Sequence, residues 1–475
     1  MQFPFVGPSY PARSTVIDGQ RSINLYPEVA AGGSSKSVAA LIGTPGHRLW
    51  LTLAGGGIRG LLRFNADTLV AVAGGNVYRV TAAGVSTLIG TVAPGDTPVS
   101  MASNGQVIML VTGAAGYVVN TAGAGSVVQI TDPAFSGADR VAFLDGYFVF
   151  NKPSAGQFQI TGLYATTIDA LDFATAEGAP DNLVSLIVDH RELWLFGEAT
   201  TEVFYNSGAA DFPIERISGA FIEHGCAAAQ SPAKLDNTVF WLGADENGAR
   251  VVYRAAGYQP QRVSTHAVEA AIASYARVDD AIAYTYQQEG HSFYVLSFPT
   301  ANATWAYDAA TDMWHERASR HTDGTLRRIR SQCHAAFAGG NVVGDWETGA
   351  LYFLDLNHFT DAGAPIPRIR IAPHVADPDY REISFHALQI DMETGVGLVS
   401  GQGSNPQAML QWSDDGGRSW GNEHWASIGR LGERLSRVRW RRLGSSRDRV
   451  FKVTVTDPVK VVIVGASLEA SAGDH

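Results

Sequence analysis

Ser413, Asp415, Gly417 and Trp420, in the stretch SDDGGRSW, fit the S-x-D-x-G-x-x-W pattern of the Asp box. That motif recurs in the blades of sialidases, so the first chemistry to weigh is glycoside hydrolysis. The residue types, however, serve a turn. A Ser and an Asp accept backbone N–H bonds, a Gly supplies a positive-φ position, and the Trp folds back over the hairpin. Sugar cleavage by such an enzyme needs an arginine cluster, a Tyr/Glu nucleophile pair and an acid/base Asp. Asp boxes in those enzymes also recur from blade to blade. Here one clean copy stands near the C-terminus, and SFPTANATW and DAATDMWHE are looser hairpins. The four residues read as the staple of a structural turn.

Other chemistries find less support. The 13 histidines are scattered without H-x-x-x-H or H-E-x-x-H spacing, and His374 has no second His nearby. Asp245 and Glu246 could bind calcium, but solvated turn charges explain them more simply. There is no P-loop, and GGGIRG (Gly55–Gly60) reads as a turn opening a strand. No G-x-S-x-G elbow supports a Ser-His-Asp triad. Cys226 and Cys333 are too far apart in sequence to suggest a disulfide framework or a metal pair, which fits a reducing compartment. No catalytic residue, metal or cofactor is expected.

The remaining anomaly is RLGERLSRVRWRRLGSSRDR (Arg430–Arg449), which holds eight of the 35 basic residues. Read as a strand, it puts Arg437, Arg439 and Arg441 on one face and Val438, Trp440 and Arg442 on the other. A solvated strand face is the plain reading of these arginines. Docking onto an acidic surface of a neighbouring subunit is the sharper one, with Arg437, Arg439, Arg441 and Arg442 as candidate interface residues. Contact with a DNA backbone ranks third, because the chain carries a net charge of −11 and its bulk surface is no nucleic-acid footprint.

The elements that position these residues read as all-β. Glycine is abundant at 51 residues, charge is low at 17%, and short Val/Ile/Tyr/Trp runs are frequent. VEAAIASYARVDDAIA (Val268–Ala283) is the one segment that could pass for a helix. No stretch is long and apolar enough for a membrane span, and the opening MQFPFVGPSY has neither a basic nor an apolar leader region.

From about Gly57 a unit repeats: a half-buried strand, a Gly, Asn or Asp turn, and a second strand carrying an aromatic. These aromatics are Tyr78, Tyr117, Phe158, Tyr205, Tyr253, Tyr307 and Tyr352, spaced by 39, 41, 47, 48, 54 and 45 residues. Several short strands per unit at this period predict a β-propeller of about seven blades, with six or eight open. The irregular spacing disfavours a β-helix. Residues 1–56 read as an extended N-terminal arm, 57–357 as the propeller, 358–380 as a Pro-rich linker, and 381–475 as a β-sandwich-like module with period-two alternation.

Three stretches carry a family resemblance: GPSYPARS…QRSINLYPE with the GTPG turn, then TTEVFYNSGAADFPIERISGAFIEHGC…YQPQRVST, then MLQWSDDGGRSWGNEHW…VFKVTVTDPVKVVIVGASLEA. The chain resembles the packaged-DNA stabilisation proteins, or tail hubs, of short-tailed double-stranded-DNA phages of the lambdoid Salmonella type. The resemblance implies a non-enzymatic virion protein of the tail or neck, assembled in the host cytoplasm. It implies a six-fold homo-oligomeric ring below the portal and its adaptor protein. Such a ring extends the DNA channel, passes duplex DNA without specific binding, retains the packaged genome, and anchors a needle, tailspikes or fibres. Nozzle proteins of other tail designs are similar too, so the distal partner stays open. The alternatives are a receptor- or glycan-binding propeller at the tail tip, or a sialidase-like glycosidase. No membrane partner is expected.

Overall fold

Short apolar runs separated by two-residue turns build the first level of structure in the computed structural model, which describes residues 2–30, 37–245, 247–248 and 250–473. Five successive hairpins turn through pairs with positive φ at both positions: Asp145-Gly146, His190-Arg191, Asp236-Asn237, Glu289-Gly290 and Ala338-Gly339. Two left-handed residues in a row match the right-handed twist of the strands they join. Each turn links the innermost strand of a unit to its second strand. A third and a fourth strand follow, antiparallel throughout.

Seven such sheets succeed one another, over residues 58–91, 100–129, 141–175, 183–222, 225–262, 282–316 and 331–355. Their innermost strands together line one axial cavity, so the chain forms a closed β-propeller. The middle strands are apolar without alternation, as in Leu69–Ala73, Ile108–Val111 and Val239–Leu242, all fully buried. A strand sandwiched between two neighbouring sheets has no face left for water. Of the expected blade aromatics, Tyr78, Tyr117, Phe158, Tyr307 and Tyr352 are buried, and Tyr253 is half-buried. In the fourth unit the register differs by one: Phe204 is buried and Tyr205 is 39% exposed. Both are aromatic, and only the pleat decides which points inward.

The expected helix is shorter than its apolar pattern. It spans His266–Ala273, with the Thr265 hydroxyl accepting from Val268 N at 3.4 Å as N-cap and Ser274 as C-cap. Ile282 and Ala283 instead begin the innermost strand of the sixth unit.

The expected N-terminal arm is distributed over three structural roles. Strand Gly46–Thr52 pairs with Ala350–Asp355 as the fourth strand of the seventh sheet, which closes the ring with the two ends of the propeller sequence. The GTPG turn leads into it, and Gly46 is required there: a Cβ would lie 2.1 Å from the His358 carbonyl. Strands Leu25–Val29 and Ala39–Gly43 form a hairpin that joins a sandwich sheet through Val462–Ala472. Strand Gly19–Ile23 lies between the modules. It pairs parallel with the sixth propeller sheet at Glu316 and antiparallel with Arg368–Ile371 of the sandwich. One continuous sheet thus runs from a propeller blade into the sandwich.

The expected linker 358–380 is likewise structured. Thr360–Asp361 pairs with the closing strand, and Arg368–Ile371 is a sandwich strand paired with Asp448–Val455. The second sandwich sheet centres on Ile383–Met392 between Val438–Arg441 and Val462–Ala472. Phe385, Leu388, Leu410, Phe451 and Val453 fill the space between the sheets, joined by Phe3, Phe5, Leu25 and Leu41 from the N-terminal segment.

Beside the closing strand, the buried Asp361 carboxylate lies 3.0 Å from His47 Nδ1 and 3.4 Å from Arg330 Nε. Burial alone would raise its pKa; His47, Ser319 and Arg330 outweigh that and bring it down to about 2. A depressed carboxyl pKa stabilises the fold above the unfolded value near 4, and that contribution fades as pH falls toward 2. Asp361→Asn is therefore expected to lose about 2 kcal/mol at pH 7. The gap from the parent chain should close between pH 4 and pH 2, as read by denaturant melts across that range. A chain beginning at residue 57 lacks the closing strand and the bridging strand. It should aggregate or melt without cooperativity, where the full chain gives one sharp transition on calorimetry.

Candidate assembly surface

The Asp-box turn joins strand Gln407–Ser413 to His424–Ser427 at the rim of the sandwich. The Ser413 hydroxyl accepts from Gly417 N at 2.8 Å, and Asp415 Oδ1 accepts from Arg418 N and Ser419 N, each at 2.9 Å. Gly417 has φ +87°. Bonds from Ser413 and Ser419 hold the Asp415 carboxyl well below the usual carboxylate range. Trp420 folds back toward Gly417 and lies beneath Lys452, whose Nζ is 4.3 Å from the ring centroid. Every bond of the motif is spent inside the turn. The neighbouring Asp414 takes both Arg449 Nε and Nη2, at 2.6 and 2.7 Å, while that guanidinium stacks on Phe385.

The arginine-rich segment divides by face. In strand Val438–Arg441, Val438 and Trp440 enter the core, and Trp440 Nε1 donates to the His424 carbonyl at 2.8 Å. Arg437 and Arg441 are exposed on the opposite side; Arg439, between them, is half-buried and donates to Glu469 at 2.7 Å. Arg442 does not share the inward face with Val438 and Trp440. Its φ of +60° breaks the pleat, it stays exposed, and Leu443 fills the core position.

Counting arginines alone overlooks the leucines between them. Leu431 is 61% exposed and Leu435 96%, on a loop that also exposes Arg430 and Arg434. This loop lies against a second one carrying Val399, 87% exposed, with Gly432 N donating to the Gly395 carbonyl. The result is a protruding tip that is both apolar and basic. Its signal was present in sequence as R-L-x-x-R-L, leucines with no strand or helix to bury them.

Chemistry elsewhere is quiet. Among the described residues no three His, Cys, Asp or Glu side chains converge as a metal site. Burial pushes the Cys226 and Cys333 thiols up to about 11 and about 12, so neither is a thiolate at neutral pH. His374 is engaged by Asp448 and the Thr15 carbonyl. Asp245 Oδ1 caps a turn by accepting from Asn247 N, and Glu246 lies outside the described residues. No helix among the described residues is long and apolar enough to cross a membrane.

A closed propeller continuous with a β-sandwich, bearing an exposed basic tip and a structural Asp box, defines a two-module protein of β-propeller and β-sandwich. Sequence profiles name the family. The profile described as bacteriophage P22 Gp10, beta-propeller, matches residues 2–359, and that described as bacteriophage P22 Gp10, beta-sandwich, matches residues 368–471. The chain belongs to this family of phage tail-hub, DNA-stabilisation proteins, which are structural components of the virion. No curated protein matches it in sequence. Solved structures similar to it include the WD40 propeller domain of Doa1, at 11% identity, 65% of this chain, 96% of that one and a TM-score of 0.39. The N-terminal domain of Nup159 is similar at 9% identity, 70% and 98% coverage and a TM-score of 0.39. Virginiamycin B lyase from Staphylococcus aureus is similar at 9% identity, 62% and 94% coverage and a TM-score of 0.39. At such scores none of these bears on function.

Proposed function

We propose that the chain is a non-enzymatic tail hub: copies form a ring, six in number, below the portal and its adaptor protein. The ring extends the DNA channel, retains the packaged genome, and carries a needle, tailspikes or fibres. The carrying observation is that both modules match one family of phage structural proteins. Two physical features suit the role. A propeller made continuous with a sandwich is a stiff wedge, and a heterologous contact between wedges closes a ring. A net charge of −11 repels duplex DNA, which favours passage over adhesion.

The basic tip is the surface proposed to meet the next copy. Arg437 and Arg441 with Leu431 and Leu435 offer charge for steering and apolar area for affinity. The double substitution Arg437→Glu, Arg441→Glu should leave the melting temperature of the isolated chain within about 1 °C, since neither side chain is buried. It should abolish incorporation into particles and any ring seen by analytical ultracentrifugation. Ring formation unchanged from the parent would remove this face from the contact.

The role itself is tested with a phage lacking the gene, by measuring the fraction of packaged heads that keep their DNA after lysis. Heads that fill and then leak are expected. Stable full particles that fail only at adsorption would overturn the hub reading and favour a tail-tip protein.

A further inference from the structure

The axial cavity of the propeller has a charge character opposite to that of the chain. It measures about 550 Å³ and is walled by the innermost strands of all seven sheets. The protein has 46 Asp and Glu residues against 35 Lys and Arg, yet among the described residues no carboxylate lines this cavity. Arg59, Arg140 and Lys234 do. Carboxylates begin at the mouths, with Asp96, Asp139, Asp279 and Asp280 at one end and Asp189 and Asp236 beside Lys234 at the other.

The state of the cations matters more than their number. Arg140 Nη1 donates to the Gln230 side chain at 2.6 Å, its Nε is buried without an acceptor, and no acceptor among the described residues meets its Nη2. Burial lowers its pKa to about 10, and no carboxylate is near enough to oppose that. Arg59 donates Nε to the Thr97 carbonyl and Nη1 to the Ala93 and Gly74 carbonyls, at 2.6–2.9 Å, with Asp96 the one carboxylate acting on it, from the mouth of the cavity. Some arginines elsewhere pair with carboxylates, as Arg191 with Asp145 and Arg449 with Asp414, and the buried Arg370 is held by backbone carbonyls and Gln20; on Arg140 the one acceptor is the Gln230 side chain. A guanidinium buried without an anion is unfavourable. Such a group gains from an anion that fits it, because burial strengthens the attraction.

We propose that the axial cavity binds a small oxyanion, a free phosphate or carboxylate, on the Arg140 guanidinium and the Gln230 amide. Lys234 at the opposite end and Arg59 in the wall supply further positive potential. The site takes one compact anion: its volume and its position inside the ring exclude a duplex. This inference is independent of where the protein sits in the virion.

The test uses the full chain, with inorganic phosphate and succinate as probes replacing chloride at constant ionic strength. A saturable rise in melting temperature is expected with at least one of them, since a ligand of the native state stabilises it by mass action. Which anion acts decides between phosphoryl and carboxylate chemistry. Arg140→Gln should abolish the rise and melt no lower than the parent chain in chloride, because it removes an uncompensated charge. Arg447→Gln, an exposed arginine outside the cavity, should keep the rise and so control for general salt effects. Should Arg140→Gln not fold, Arg140→Lys keeps the charge without the fork and should bind about tenfold more weakly by titration calorimetry. No saturable rise with either anion, or an equal rise in the Arg140 variant, would overturn the assignment.

Discussion

Strand Gly19–Ile23 is the constraint on which the two-module architecture depends. It is five residues long and hydrogen-bonded on both edges, to a propeller blade on one side and to the sandwich on the other. Its place is secured by side chains that reach across the junction. Arg370, fully buried, donates Nε to the Phe5 carbonyl at 2.7 Å, Nη1 to the Pro8 carbonyl at 2.9 Å and Nη2 to Gln20 at 2.7 Å. Asn24, with φ +55°, donates to the carbonyls of Ala318 and Pro367 and accepts from Ala318 N. Backbone carbonyls rather than carboxylates compensate Arg370, so the segment 5–22 cannot leave without stranding a buried cation. The relative orientation of propeller and sandwich is therefore set by hydrogen bonds, not by a flexible connection.

A second consequence concerns the ring. The closing strand Gly46–Thr52 lies between the sandwich hairpin and the first blade in sequence. The chain passes from Ala39–Gly43 on the sandwich directly into the strand that closes the propeller, so one short stretch ties ring closure to the docking of the modules.

Much of this was legible in residue pattern, and what was not has a common cause. Repeat period and turn residues revealed the propeller because each blade is local: its strands are adjacent in sequence. The sandwich showed through period-two alternation, which each strand carries by itself even though Ile383–Met392 pairs with the distant Val462–Ala472. The N-terminal 56 residues look like an arm in sequence because their partners, Glu316, Arg370 and Tyr352, lie some three hundred residues away, and pairing at that distance leaves no periodic trace. The same holds for residues 358–380, whose prolines suggested a linker while their strands pair with distant ones. At a finer level register departs from the pattern twice: Phe204 rather than Tyr205 points inward, and Leu443 rather than Arg442, whose left-handed conformation shifts the pleat.

The functional surfaces divide along the same line. The Asp box was readable since all its bonds fall within seven residues, and that closure is why it says nothing about a substrate. The arginines of strand Val438–Arg441 were readable as a face, because alternation is local. The axial cavity was not, since it is assembled from one strand of every blade and from residues as far apart as Arg59 and Gln332. In a propeller the wall of each blade is local and the axis is not. Charge gathered on the axis, against the net charge of the chain, is for that reason a property that only the closed ring possesses.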